Sequence, residues 1–311
     1  MNRGVPQGSV LGPLLFNIFI NDIFLTDIES KIFNYADDNH LSNNNKHLSS
    51  LVATMETDSS KAIDWFNENG MDSNAEKFQF LTLDKKGVVP STISVQECTI
   101  NTSNFIKVLG VTIDGKLNFD EHISKLCSKA AAQVNALKRI SKYLCQENRL
   151  LIYKSFICSN FTYCPLIWMF CGKKNSNKME KIQERALRFI FNDYVSTYNA
   201  ILKRSNLLSL SALRIRFLAI EVYKCQHCLG PPYLNEMFQP NVSNYNFRDP
   251  HKLVQPKYNS IKFGYKSFRY YGAKLWNSLP VNIKESDSLF IFKKRITEWC
   301  SSPECDKYLI E

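Results

Sequence analysis

The sequence predicts an α+β fold: helices packed on an antiparallel sheet, followed by a mostly helical basic region and a carboxy-terminal tail. Three observations carry this reading. In the first hundred residues, apolar side chains recur at helical spacing on both sides of one short strand-like stretch. Between residues 78 and 113 the chain turns β-prone, and from about Asp120 it changes again, to long amphipathic helices. With 311 residues, 44% of them hydrophobic, it is long enough for two domains and can bury real cores, so disorder is not the default. The chain accordingly divides into residues 1–119, 120–230 and 231–311.

Taken in order, Gly4-Val5-Pro6-Gln7-Gly8-Ser9 is turn chemistry, because glycine and proline favour backbone geometry that other residues resist, and Ser9 can cap the next helix. That helix is predicted from near Leu11, with Pro13 in its first turn. Leu11, Leu14, Leu15, Ile18 and Phe19 share its spacing, which predicts a largely buried helix. Residues 32–39 are too few for a helix and read as a strand turning at Asp37 and Asp38. Leu48, Leu51, Val52, Met55, Ala62, Ile63 and Phe66 keep the period of a second helix, with Ser49 or Ser50 as its start and Gly70 as its stop. Residues 78–83, 92–100 and 105–113 read as strands, the last ending in a turn at Asp114-Gly115.

Beyond Asp120, Ile123, Leu126, Cys127, Ala130, Val134, Leu137 and Ile140 make one apolar helical stripe. Further helices are expected over 147–156 and 179–191, the latter with Met179, Ile182, Ala186, Phe189 and Ile190 inward. Residues 231–263 have no clear period and read as an extended connector. A last helix places Leu289, Phe292, Ile296 and Trp299 on one face.

Charge is divided along the chain. The first 100 residues hold 7 Lys and Arg against 13 Asp and Glu, a net of −6, whereas the whole chain is +10, so the remainder is +16. An acidic head on a basic body suits a metal-binding catalytic part joined to a phosphate-binding part. The ten cysteines are scattered and no signal peptide is evident, which reads as reduced thiols in an intracellular protein of the nucleus or cytoplasm. Cys225-Gln226-His227-Cys228 offers one close pair, too few ligands for a structural zinc. The longest apolar run, residues 150–171, is broken by Lys154, Ser155, Ser159 and Asn160, so no membrane partner is expected.

The most informative stretch is Tyr35-Ala36-Asp37-Asp38. Adjacent carboxylates repel, and a fold tolerates them in open solvent or around a cation. Together with Gly4-Val5-Pro6-Gln7-Gly8-Ser9-Val10-Leu11-Gly12-Pro13-Leu14-Leu15-Phe16, about twenty residues upstream, it resembles two sequential motifs of the reverse transcriptases encoded by non-LTR (LINE-type) retrotransposons. The resemblance implies a partial polymerase palm, then a thumb-like helical region and a downstream tail. It implies Mg2+ held by Asp37 and Asp38, with Tyr35 near the primer terminus and Gly4, Pro6, Gln7, Gly8 and Ser9 positioning template and nucleotide. Lys77 becomes a candidate general acid for the leaving pyrophosphate, with a solvated surface lysine as the alternative. Leu109 and Gly110 would lie in a hairpin that grips the primer. The implied partners are an RNA template and a DNA primer.

The stretch Tyr265-Lys266-Ser267-Phe268-Arg269-Tyr270-Tyr271-Gly272-Ala273-Lys274-Leu275-Trp276-Asn277-Ser278-Leu279-Pro280 also resembles a tail recurrent in LINE-type polyproteins; its interleaved aromatic and basic residues suit a single-strand-binding surface, although most of these rings are expected in the core. Members of the family carry a further catalytic aspartate on a strand upstream of the glycine motif, together with nucleotide-gripping fingers, and neither is found before Gly4. This leaves two expectations. One is an RNA-directed DNA polymerase segment, incompetent alone and with at most weak Mg2+ binding, completed by a longer element-encoded chain. The other is a non-catalytic nucleic-acid-binding remnant.

Overall fold

A computed structural model describes residues 4–6, 8–83, 90–241 and 250–308. Two compact units divide the chain, Met1–Leu117 and Asn118–Glu311. The architecture is mixed, with helices and small antiparallel sheets in the first unit and helices dominating the second.

In the first unit, helix α1 (Gly12–Ile20) runs into a 3-10 turn (Asn21–Leu25), strands β1 (Lys31–Tyr35) and β2 (Asp38–Ser42), and helix α2 (Leu48–Glu68). A 3-10 turn (Ala75–Lys77) then leads to β3 (Thr92–Val95), β4 (Cys98–Asn101), β5 (Phe105–Val108) and β6 (Val111–Asp114). These strands form three separate two-stranded antiparallel sheets, β1-β2, β3-β4 and β5-β6, where one sheet is expected from the sequence. Each strand is four or five residues long and is spent on the neighbour it reaches through a two-residue turn. Residues 92–100, read as one strand, fold back at Gln96, whose φ of 52° makes the reversal. Residues 78–83 form no strand and contribute an isolated bridge from Phe80 to Thr102.

The central piece is α2. Its apolar residues serve both sides: Trp65 joins Ile20 and Ile23, with Phe16, Ile32, Phe66 and Met71 packed around them. Ile63 joins Phe80, Ile93 and Val95. The expectation that α1 is largely buried is corrected. Leu11, Leu14, Leu15 and Ile18 are half exposed or more, because only one edge of the helix, through Phe16, Phe19 and Ile20, meets α2. Periodicity identifies an apolar stripe but does not supply what covers it.

The second unit begins with α3 (Asp120–Ile140), on the bounds its stripe predicts; Ile123 through Leu137 are buried, while Ile140 is exposed. Next come α4 (Gln146–Ile152), a π turn (Tyr153–Ile157) and α5 (Cys158–Thr162), one after another without a break, so the helix expected over 147–156 is found and runs on to Thr162, with a π bulge in it. There Tyr153 is fully buried and its hydroxyl donates to Gln183 Oε1 at 2.9 Å. The helices α6 (Pro165–Trp168), α7 (Lys173–Phe191), α8 (Tyr198–Ser205), α9 (Leu210–Gln226) and α10 (Pro232–Asn235) come after it. In α7 the inward set is Met179, Ile182, Gln183, Ala186, Leu187 and Ile190, with Phe189 only half-buried.

The chain closes with α11 (Phe268–Ser278), α12 (Val281–Lys284) and α13 (Leu289–Cys300). Ser267 and Ser288 cap α11 and α13, accepting from Tyr270 N and Ile291 N. These late helices share one core with α9: Leu218, Val222, Tyr223, Leu275, Trp276 and Phe292 are at most 3% exposed, and Tyr223 stacks on Phe292 with ring centroids 4.2 Å apart. Phe238 and Leu253, from the segment with no sequence period, enter the same core.

Candidate active site

The double aspartate stands at the tip of the β1-β2 hairpin. Tyr35 pairs with Asp38, leaving Ala36 and Asp37 as the two-residue loop, and Ala36 makes the reversal with a φ of 54°. Opposite residues of an antiparallel pair share a face. Tyr35 and Asp38, then Phe33 and His40, therefore share one face, on which Phe33, Tyr35 and Asp38 are exposed and His40 is half-buried, while Ile32 on the other side packs toward Trp65. Asn34 Nδ2 donates to Asn39 Oδ1 at 2.7 Å, and Asn39 Nδ2 donates to the Asp37 carbonyl at 3.2 Å, which stiffens the tip. Asp37 and Asp38 are exposed, and among the described residues neither carboxylate accepts a hydrogen bond or an ion pair.

The open end of this hairpin is held by residues that no sequence pattern singles out. Asp58, 1% exposed on α2, accepts from Ser30 N at 2.7 Å and Glu29 N at 3.3 Å. Ser30 Oγ in turn accepts from Asn43 Nδ2 at 3.1 Å. One carboxylate thus fixes the entry to β1, and Asn43 ties in the exit from β2. The only signal in the sequence is a carboxylate three residues after Met55, inside a helix whose polar positions read as solvated. Two more α2 carboxylates act on β3-β4: Glu56 accepts from Ser94 N at 2.7 Å, and Asp64 accepts from Gln96 Nε2 at 2.8 Å.

The glycine-rich loop is built as its residues suggest. Gly4 and Gly8 have φ values of 91° and 81°, in the region glycine favours. Ser9 Oγ donates to the Pro6 carbonyl at 2.8 Å and accepts from Gly12 N at 3.1 Å, closing the loop onto the start of α1. A methyl group on Gly12 would sit 2.7 Å from Ser9 Oγ and 3.2 Å from the Pro6 carbonyl, so a larger residue here would displace the Ser9 side chain from its bonds. Gln7 lies outside the described residues.

Lys77 ends the turn at Ala75–Lys77, where Asn74 Oδ1 accepts from Glu76 N at 3.0 Å, and its side chain is exposed. No hydrogen bond or ion pair among the described residues links Lys77 to Asp37 or Asp38. Leu109 and Gly110 form the two-residue turn of the β5-β6 hairpin, with φ values of 46° and 85°, and Gln79 Oε1 accepts from Lys107 N at 3.2 Å on its outer strand.

For a divalent ion, the donor set is partial. Mg2+ takes oxygen ligands, often one or two carboxylates completed by water and substrate phosphate. The exposed Asp37 and Asp38 fit that share. Among the described residues no group of three or more His, Cys, Asp or Glu is gathered closely enough to hold a metal by itself. No helix of the described residues is long and apolar enough to cross a membrane.

Comparison with known proteins agrees with the motifs. Residues 1–113 match the family described as reverse transcriptase (RNA-dependent DNA polymerase). The probable RNA-directed DNA polymerase from transposon X-element of Drosophila melanogaster is 27% identical over 195 residues, 60% of this chain and 21% of that protein. The RNA-directed DNA polymerase from mobile element jockey of the same species is 28% identical over 201 residues, 60% of this chain and 22% of that one. The Pol polyprotein from type-1 retrotransposable element R1 of Nasonia vitripennis is 25% identical over 176 residues, 53% of this chain and 52% of that protein. No solved structure matches the chain. It spans about a fifth of the length of the two Drosophila relatives. The chain is therefore similar to the reverse transcriptase family over residues 1–113, and to RNA-directed DNA polymerases of transposons and mobile elements over 60% of its length.

Proposed function

We propose that this chain supplies the metal-binding turn and primer-side hairpin of an RNA-directed DNA polymerase, and that polymerisation requires further element-encoded chain. The observation that carries the reading is the exposed Asp37-Asp38 tip, two carboxylates without protein partners among the described residues, on a hairpin clamped at its open end by Asp58. In finer terms, residues 1–119 are a partial palm, 120–230 a thumb-like basic region and 231–311 the connector and tail.

Asp37 and Asp38 would hold Mg2+, which when bound activates the primer 3′-hydroxyl and stabilises the departing pyrophosphate. Tyr35, on the same face as Asp38, would pack against the primer terminus, and the loop of Gly4, Pro6, Gln7, Gly8 and Ser9 would let backbone approach the template and the incoming nucleotide. Lys77 would give the leaving pyrophosphate its proton. The Leu109-Gly110 turn would hold the primer backbone against the tip. The partners are an RNA template and a DNA primer, engaged by a basic second unit through phosphates.

The requirement for additional chain rests on the exposed apolar face of α1, Leu14, Leu15 and Ile18, which water alone covers unfavourably. The test is Mg2+-dependent primer extension on an RNA template, with this chain alone and with a longer element-encoded chain that carries its own Asp37→Asn-equivalent inactivation. Alone, no extension is expected. In the mixture, extension is expected and should fall by at least about 100-fold when Asp37→Asn is placed in this chain, since outer-shell changes at metal sites already cost 10- to 100-fold. Extension that ignores Asp37→Asn would refute the assignment of the tip. If the mixture stays inactive while the chain binds RNA in a salt-sensitive way, the non-catalytic nucleic-acid-binding role replaces it.

A further inference from the structure

Residues 251–284 contain seven Lys and Arg and not one Asp or Glu. Within this stretch three tyrosines form a cluster: Tyr258 meets Tyr265 and Tyr270 with ring centroids 5.5 and 4.7 Å apart, and Tyr265 meets Tyr270 at 5.2 Å. Beside them Tyr258 is 45% and Phe263 42% exposed. Cations flank the rings. Lys262 Nζ lies 5.3 Å from the Phe263 centroid, and Lys274 Nζ lies 4.9 Å from that of Tyr265 while donating to its hydroxyl at 2.6 Å. Lys257 and Arg269 are exposed nearby in sequence.

The cluster is held in place by local bonds. A π turn at Ile261–Tyr265 is capped by Ser260, whose hydroxyl accepts from Phe263 N and whose carbonyl accepts from Gly264 N and Tyr265 N. Ser267 Oγ donates to the Gly264 carbonyl at 2.6 Å and accepts from Tyr270 N at 3.2 Å. A methyl group on Gly264 would lie 2.7 Å from Tyr258 Cβ, so the glycine is what lets Tyr258 seat against the turn. Tyr265 packs against the core and meets buried Tyr271 at 6.0 Å, whereas Tyr258, Phe263 and Tyr270 are not among the core residues. Rings that are exposed or half-exposed, beside cations and in a stretch of sequence that holds no carboxylate, are the parts a single strand recognises: base faces stack on the rings and phosphates meet the cations.

We infer that the Tyr258-Phe263-Tyr265-Tyr270 surface binds single-stranded nucleic acid. It lies outside residues 1–113, so it holds whether or not the polymerase reading does. A duplex hides its base faces and an anionic vesicle has none, which makes both of them discriminating competitors.

The experiment uses the full chain and a fluorescein-labelled 20-nucleotide oligouridine, read by anisotropy over a range of salt, beside a 20-base-pair RNA duplex and phosphatidylserine vesicles. Tyr258→Ala and Phe263→Ala should each weaken single-strand binding roughly tenfold with the salt slope unchanged, because each removes a stacking face and no cation. Tyr258→Phe should bind as the parent does. Lys257→Gln and Arg269→Gln should each lower the salt slope by about 0.7. With 4-thiouridine RNA, cross-links should fall on Tyr258 and Phe263. Absence of single-strand binding, unchanged affinity in both alanine variants, an equal loss for duplex or vesicles, or cross-links confined to α3 and α7 would each overturn the proposal. Near-ultraviolet circular dichroism of the buried Trp276 keeps a folding defect from passing as a binding defect.

Discussion

The two units solve the same problem with different materials. In residues 118–311, α9, α11 and α13 close around one continuous core in which Leu218, Leu275, Phe292 and Ile296 are fully sealed from water. In residues 1–117 the apolar groups are small, Ile20 with Ile23 and Trp65, and Ile63 with Phe80, Ile93 and Val95, while much of α1 faces solvent. What the first unit lacks in burial it makes up with placed carboxylates on α2: Asp58 on one hairpin, Glu56 and Asp64 on another. A core fixes helices by volume, over many contacts of small energy. A buried carboxylate fixes a backbone segment by direction, at one point, which suits a hairpin whose tip must be aimed.

The largest effect expected is in the core. Phe292 is fully buried and stacked between Tyr223, 4.2 Å away, and Trp276, 6.0 Å away. Phe292→Ala should cost about 3–5 kcal/mol, the range for removing a buried aromatic. Native-state hydrogen exchange should place the loss in α9, α11 and α13 and leave α2 protected as before. If α2 loses protection to the same extent, the two units unfold as one and the contrast between them fails.

Next in size is the clamp. Asp58→Ala leaves the buried amide of Ser30 without its acceptor, and the amide of exposed Glu29 with water in place of it, which should cost about 1–3 kcal/mol. Asp58→Asn keeps one oxygen and should cost less. The same exchange measurement should now show the loss in β1 and β2, the mirror of the Phe292 result. An Asp58→Ala variant as stable as the parent would mean that the hairpin is held by Ile32 and its neighbours alone.

How much of this is legible in the sequence depends on the same physics. The bounds of α3 and α2 can be read because six or seven apolar residues keep one period over five turns, and no other structure uses that spacing. The hairpin at Asp37 can be read because a short apolar stretch ends at polar turn formers. The reversal at Gln96 cannot, since Val95-Gln96-Glu97-Cys98 holds none of the Gly, Asn or Pro that mark turns, and the left-handed Gln96 is imposed by packing of Ile93 and Val95 against α2. The role of Asp58 is hidden because a lone carboxylate in a helix looks solvated until the segment it bonds, 28 residues earlier, is in place. Phe238 and Leu253 are hidden for a related reason: a residue can be core without any period when its segment crosses the core only once.

A smaller effect belongs to the glycine loop. Gly12→Ala gains up to about 1 kcal/mol of helix propensity but forces Ser9 Oγ, 2.7 Å from the new methyl, to rotate away. That breaks its bonds to Pro6 and Gly12, worth about 1 kcal/mol each. The net change in global stability should therefore stay within about 1 kcal/mol. Exchange at the amides of Ser9 and Gly12 should nonetheless rise. A change in global stability without local loosening would show that the loop is not organised by Ser9.

The smallest effect is the most telling about α1. Leu14 and Ile18 are 57% and 62% exposed, so Leu14→Gln with Ile18→Gln removes little buried surface and should alter stability by no more than about 0.5 kcal/mol. Thermal melting checks this directly. If the exposed face is where a longer element-encoded chain docks, the same pair of substitutions should abolish extension in the mixture while leaving the melting curve in place, because the apolar area lost belongs to the complex and not to this chain. A drop of about 2 kcal/mol or more in the isolated chain, the scale of a buried leucine or isoleucine, would instead mean that α1 is already packed, and the first unit would then be held by burial in the same way as the second.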